Sequence, residues 1–180
     1  MKEFIKNLIF DFIFPKSVEL KKLESLSVKE ILEQLPQASH IKDSSVIAVF
    51  DYNHPTTKKL VWEIKYKGNE IIADKLAQII HDVLLQELSD KTLFESKMWR
   101  EGILLIPIPT SDKKRRERGW NQAEILAEKI VKYDISKIFT YLPKVLVKSI
   151  HTESQTKTNS KKERLENITD SMRVLHKEAV

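Results

Sequence analysis

Two consecutive stretches of the chain decide its fold: Ile103-Leu-Leu-Ile-Pro-Ile-Pro109, and then Thr110-Ser-Asp-Lys-Lys-Arg-Arg-Glu-Arg-Gly-Trp-Asn-Gln122. The first stretch is apolar without polar alternation, which is typical of a strand buried on both faces of a parallel sheet in an α/β domain. Prolines cannot donate hydrogen bonds to a sheet, so we expect pairing to stop near Pro107. The second stretch predicts a basic loop followed by a helix over residues 120–131.

Positive charge is concentrated in that loop, because residues 111–120 carry five basic and two acidic side chains in a chain of net charge +5. A solvated basic loop would account for the charge alone. The position after a strand and before a helix N-terminus instead predicts a phosphate-type site, since such a terminus attracts anions. The candidate ligand-binding residues combine guanidinium groups, a flexible glycine and a helix-capping amide: Arg115, Arg116, Arg118, Gly119 and Asn121.

Helices and strands alternate along the rest of the chain, as an α/β fold requires. Apolar spacing predicts a short helix ended by Pro36 and two longer helices on either side of Lys67-Gly68-Asn69. Runs of β-branched and apolar residues predict short strands at 46–50, 145–147 and 172–175. We interpret residues 1–45 as an N-terminal helical appendage and residues 46–180 as the α/β domain.

Residue counts exclude several kinds of site. The chain has no cysteine, which excludes disulfides, thiolate zinc sites and cysteine nucleophiles. Its three glycines are too far apart to form a glycine-rich phosphate loop. The five histidines are scattered without metal-ligand spacing, so we predict no metal held by histidine.

The apolar N-terminus, residues 1–14, is too short to span a bilayer and is interrupted by Lys6 and Asp11. No small-residue cleavage site follows it. An amphipathic helix is the expected structure, with no membrane span and a cytoplasmic location.

Four motifs resemble, in order and spacing, the ComF family of phosphoribosyltransferase-like proteins. They are Ile64-Lys-Tyr-Lys-Gly68, Ile106-Pro-Ile-Pro109, Arg116-Glu-Arg-Gly-Trp-Asn-Gln-Ala123, and Thr152-Glu-Ser-Gln155 followed by Glu163-Arg-Leu-Glu-Asn167. The resemblance extends over about residues 46–175, and Arg-Gly-Trp-Asn-Gln is its most distinctive part.

The resemblance implies a type I phosphoribosyltransferase fold, a parallel sheet under a flexible hood that uses phosphoribosyl pyrophosphate and Mg²⁺. Residues 109–121 would then bind pyrophosphate and stabilise the charge that develops as the anomeric bond breaks. Lys65 would lie on the helix before Gly68. The hood or its base would contain Gln155, Arg164 and Asn167. The family is also associated with natural competence, the uptake of DNA.

Two departures from the family pattern limit this expectation. The cysteines of a small zinc module are missing after Phe14-Pro15, so we expect no zinc. The ribose-phosphate loop, a strand ending in two Asp residues and then Thr-Thr-Gly, should follow residue 175, and the sequence ends at Val180. We therefore expect an incomplete phosphoribosyltransferase-like sheet, inactive unless the missing segment or a partner chain supplies that loop. The alternative is a non-catalytic module that binds nucleic acid or protein, and the sequence leaves open whether the chain is an enzyme.

Overall fold

The computed structural model describes residues 16–39, 46–90, 102–148 and 171–175. The chain divides into two compact units, the first ending at Leu60 and the second beginning at Val61. Two predicted features lie outside the described residues: the N-terminal helix, and the segment that contains Gln155, Arg164 and Asn167.

The first unit contains helices α1, Val18–Ser25, and α2, Val28–Gln34. Helix α2 begins with a capping box: the Glu30 amide donates to Ser27 Oγ, and the Ser27 amide donates to Glu30 Oε2 at 2.7 Å. The helix ends just before Pro36, which confirms the predicted short helix.

The predicted strand over residues 46–50 is wrong. In the described residues this stretch makes only an isolated antiparallel bridge between Phe50 and Gln37. Val46 and Ile47 are exposed, so no apolar face is buried there. A β-prone sequence forms a strand only where a neighbouring strand and a packing surface are present, and the described part of the chain provides neither for this run.

The two helices predicted on either side of residues 67–69 are confirmed. Helix α3, Pro55–Trp62, continues into a π-helical turn, Glu63–Lys67, and helix α4 follows at Glu70–Asp90. The break between them is made by Gly68, which adopts the left-handed conformation at φ 60° that a side chain would disfavour. Asn69 starts α4 by accepting a hydrogen bond from the Ile72 amide.

Strand β1, Ile103–Leu105, pairs in parallel with β2, Phe139–Tyr141. The pairing ends before Pro107, as predicted. The expectation that β1 is buried on both faces is wrong, because Leu104 is exposed. Ile103 and Leu105 point to the face that packs on the core, and strand alternation turns Leu104 to the other face.

A second, antiparallel pair is formed by β3, Leu146–Lys148, and β4, Met172–Val174. Both strands were predicted from the sequence, whereas β2 was not. The structure is thus a mixed α/β fold with one parallel and one antiparallel pair in the described residues.

The core of the second unit lies where α4 packs against helix α6, Gln122–Tyr133, and strand β2. Helix α6 confirms the helix predicted over residues 120–131. Its buried residues Ala127 and Ile130 face inward, at positions where the apolar spacing placed them. Tyr133 adds a polar link by donating from its hydroxyl to Asp74 of α4 at 2.8 Å. Among the described helices, none has the length and apolar character needed to cross a membrane.

Replacing Ile130 with alanine is expected to lower the free energy of unfolding by about 2–5 kcal/mol, because it leaves a cavity beside Ala77 and Phe139. Ile135→Ala is the matched control: Ile130 is 4% exposed and Ile135 is 93% exposed. The control should change stability by less than about 0.5 kcal/mol. Urea denaturation measures both, and equal effects would contradict this location of the core.

Candidate functional site

The basic segment that was predicted to be a loop is a helix, α5, Asp112–Arg118. Ser111 caps its first turn, and Gly119 ends it in the left-handed conformation. Asp112 lies at the positive end of the helix and the three arginines lie in its last turn, the arrangement that the helix dipole favours. The loop prediction is therefore wrong: the charges are spaced along a short, well-capped helix.

Trp120, which follows α5, contacts the π-helical turn. Its indole N–H donates to the Ile64 carbonyl at 3.0 Å. Its ring lies against Gly68, where an added Cβ would come within 3.1 Å of the indole. Two of the motifs noted in the sequence, Ile64–Gly68 and the Arg-Gly-Trp turn, are therefore in direct contact.

Two residues predicted to bind phosphate are engaged within the protein. Asn121, 2% exposed, accepts from the Ala123 amide and donates to the Ile108 carbonyl. Arg115 forms an ion pair with Glu124 at 2.7 Å. The N-terminus of α6 thus has its cap from Asn121 and a carboxylate in its first turn. These contacts hold the segment between β1 and α6 in place.

Positive charges gather around Lys114. Burial lowers the pKa of Lys114, and the positive charges of Lys148, Arg118 and Lys65 lower it further, although Glu117 acts in the opposite direction. Burial also lowers the pKa of Lys148. We call these four residues, Lys65, Lys114, Arg118 and Lys148, the lysine–arginine cluster.

The cluster contains only part of the predicted site. Arg118 was predicted to bind phosphate and Lys65 to lie on the helix before Gly68, and both side chains lie over the Tyr66 ring. Arg116 and Gly119 are exposed, and among the described residues none beyond the immediate chain neighbours lies within 4 Å of where a Cβ on Gly119 would be. Lys114 was missed although it belongs to the basic run, and helical spacing, which places it one turn before Arg118, would have found it. Lys148 comes from a distant strand, and no local signal marks it.

A cleft of about 690 Å³ has one residue of this cluster, Lys148, in its lining. Pro109 and Thr110, which follow β1, contribute to it, as does Tyr141 at the end of β2. The cleft therefore lies at the carboxyl ends of the two parallel strands, where α/β folds commonly bind ligands. Arg115 and Lys148 also line it, so the cleft is in contact with both α5 and the β3–β4 pair.

Tyr141 has an acidic environment in the same cleft. Its hydroxyl lies 3.4 Å from Glu128 Oε1. Burial, followed by the negative charges of Glu128 and Glu124, raises the pKa of Tyr141 to about 12. The hydroxyl is therefore protonated at neutral pH and acts as a hydrogen-bond donor to the carboxylate.

Outside the cleft, the π-helical turn presents a surface of aromatic and basic residues. Trp62 and Tyr66 have ring centroids 5.7 Å apart and are 41% and 42% exposed. Lys67 lies over the Trp62 ring, and both Lys65 and Arg118 lie over the Tyr66 ring, at 5.2 and 5.0 Å. Arg118 and Lys65 are thus shared between this surface and the lysine–arginine cluster.

The described residues contain no group of three or more His, Asp or Glu side chains arranged to hold a metal ion. No family model, curated protein or solved structure matches the chain. We therefore build the functional proposal on the residues of the second unit and their geometry.

Replacing Gly68 with alanine is expected to destabilise the protein more than the same change at Gly119. Both glycines have positive φ, so both variants incur backbone strain of about 1–2 kcal/mol. Only at Gly68 would the new Cβ also press on Trp120, which adds about 1 kcal/mol or more. Urea denaturation followed by tryptophan fluorescence measures the difference. Equal losses for the two variants would show that the Trp120 contact is not tight.

Proposed function

We propose that the second unit binds the diphosphate group of a phosphoribosyl pyrophosphate-like ligand, as a ComF-like relative of phosphoribosyltransferases. The observation that carries the proposal is the lysine–arginine cluster beside a cleft at the carboxyl ends of two parallel strands. A solvated basic helix would spread its charges apart, whereas here residues from three elements bring theirs together.

Bringing like charges together is unfavourable, and burial together with the charges of Lys148, Arg118 and Lys65 lowers the pKa of Lys114. A bound diphosphate would reverse it, because an anion stabilises the charged form of each lysine. Charge-assisted hydrogen bonds to phosphate are also among the strongest that side chains make. Trp120 supports the proposal from outside the cluster, since its contacts hold Lys65 and Arg118 on neighbouring segments.

The proposal separates ligand binding from catalysis. The described residues provide cations for phosphate, and phosphoribosyl transfer stays a prediction of the resemblance, together with the link to DNA uptake and a cytoplasmic location. Because no set of described side chains forms a metal site, we derive no step through a resident Mg²⁺. Mg²⁺ is commonly held by one or two carboxylates and the phosphates of a substrate, so in this proposal it arrives with the diphosphate.

Replacing Lys114 with alanine is expected to weaken pyrophosphate binding about tenfold or more, because one charge-assisted contact is lost. Lys113→Ala, on the exposed side of the same helix, is the matched control and should change affinity less than about twofold. Isothermal titration of the full chain with pyrophosphate, with and without Mg²⁺, measures both variants. Absence of binding to the unmodified chain under both conditions would refute the proposed function.

A second candidate function is favoured by the Trp62–Tyr66 surface. Single-stranded nucleic acids bind where aromatic rings accept stacked bases and cations contact the backbone. The two exposed rings and their three cations, Lys65, Lys67 and Arg118, provide both. This surface would be the binding site if the chain is a non-catalytic nucleic-acid-binding module, the alternative that the sequence analysis left open.

Replacing Trp62 with alanine is expected to weaken binding of a single-stranded oligonucleotide about tenfold, because one stacking contact is lost. Tyr52→Ala, at an exposed aromatic residue of the first unit, should leave affinity unchanged. Fluorescence anisotropy over a range of salt concentrations measures the affinities and their salt dependence. If Trp62→Ala and Tyr52→Ala behave alike, the surface is not a nucleic-acid site.

A further inference from the structure

The cleft has charges of opposite sign on its helical and strand sides. Its helical side, formed by α5 and α6, contributes three carboxylates, from Asp112, Glu124 and Glu128, and one cation, from Arg115. Its strand side, formed by the residues around β3 and β4, contributes three cations, from Lys144, Lys148 and Arg173. Diphosphate binding accounts for the cations and gives the carboxylates no role.

The helical side keeps a net negative charge after the ion pair within it is taken into account. Arg115 neutralises Glu124, with which it is paired at 2.7 Å. Glu128 lies one turn further along α6 and has a neutral neighbour, the Tyr141 hydroxyl at 3.4 Å. The pKa of Tyr141 reflects the same carboxylates: burial raises it, Glu128 and Glu124 raise it further, and Arg115 lowers it. A proton or another cation is therefore favoured at this end of the cleft.

The size of the cleft allows one ligand to reach both sides. A volume of about 690 Å³ lies in the middle of the range for sites that enclose small molecules. A ligand whose only charged group is a phosphate would be repelled by the carboxylates, and this repulsion would weaken binding. A ligand with a phosphate at one end and a protonated nitrogen at the other would match both charges.

We propose that this cleft selects ligands that carry a protonated amine or similar cationic nitrogen in addition to a phosphate group, with Glu128 as the principal contact for the nitrogen. The inference rests on the proposed function, because Lys148 belongs both to the lysine–arginine cluster and to the cations at the phosphate end of the cleft. It extends that function by assigning the carboxylates of α6 to the choice of ligand.

Two small phosphate monoesters that differ in one ammonium group test the inference: 2-aminoethyl phosphate and ethyl phosphate. Isothermal titration with the full chain should show about tenfold tighter binding of 2-aminoethyl phosphate, the effect of one charged contact. Glu128→Gln should remove this preference while ethyl phosphate binds as well as before or better. Glu87→Gln, on α4 and outside the cleft lining, should leave the preference intact.

The outcomes separate the two proposals. Equal affinity for the two esters in the unmodified chain would overturn the inference and leave diphosphate binding in place. A preference that survives Glu128→Gln would overturn the assignment of the nitrogen to Glu128. If neither ester nor pyrophosphate binds, the proposed function fails, and the inference fails with it. Circular dichroism of each variant establishes that the chain is folded, and Glu128 is exposed, so the substitution removes no core packing.

Discussion

The contact between Trp120 and the π-helical turn is the constraint on which the arrangement of the second unit depends. One hydrogen bond to the Ile64 carbonyl and one close ring contact at Gly68 join segments more than fifty residues apart in sequence. Two features favour glycine at position 68: its φ is positive, and a side chain there would contact the indole. Together with Arg118, which lies over the Tyr66 ring, this contact keeps Lys65 near α5.

Around this contact, the residues divide into those that build the frame and those that are available to a ligand. Asn121 and the Arg115–Glu124 pair belong to the frame, since their polar groups are used to connect β1, α5 and α6. The lysine–arginine cluster differs, because Lys148, Arg118 and Lys65 repel the charge of Lys114 and lower its pKa beyond the effect of burial. Polar groups that stabilise a fold reduce such repulsion, so a concentration of like charge is more typical of a site whose partner is an anion.

The sequence predicted the features that depend on residues close together along the chain. Apolar spacing located α4 and α6, and two prolines located the end of β1. The strand predicted at 46–50 failed because a strand needs a partner, which local sequence does not reveal. Helix α5 was missed because its charge suggested a loop, although Ser111 and Gly119 are ordinary helix-capping signals. Lys148 could not have been predicted, since only the fold brings it towards Lys114.

The central claim, that distant cations are held together for an anionic ligand, is tested most directly by the titration of single lysines. NMR of the lysine side chains over a range of pH measures the pKa of Lys114. The structure predicts that Lys114 titrates below the ordinary range of a lysine, because burial and then the charges of Lys148, Arg118 and Lys65 lower its pKa, and that saturating pyrophosphate raises this pKa. If Lys114 titrates in the ordinary lysine range and pyrophosphate leaves its pKa unchanged, the cluster is not an anion site.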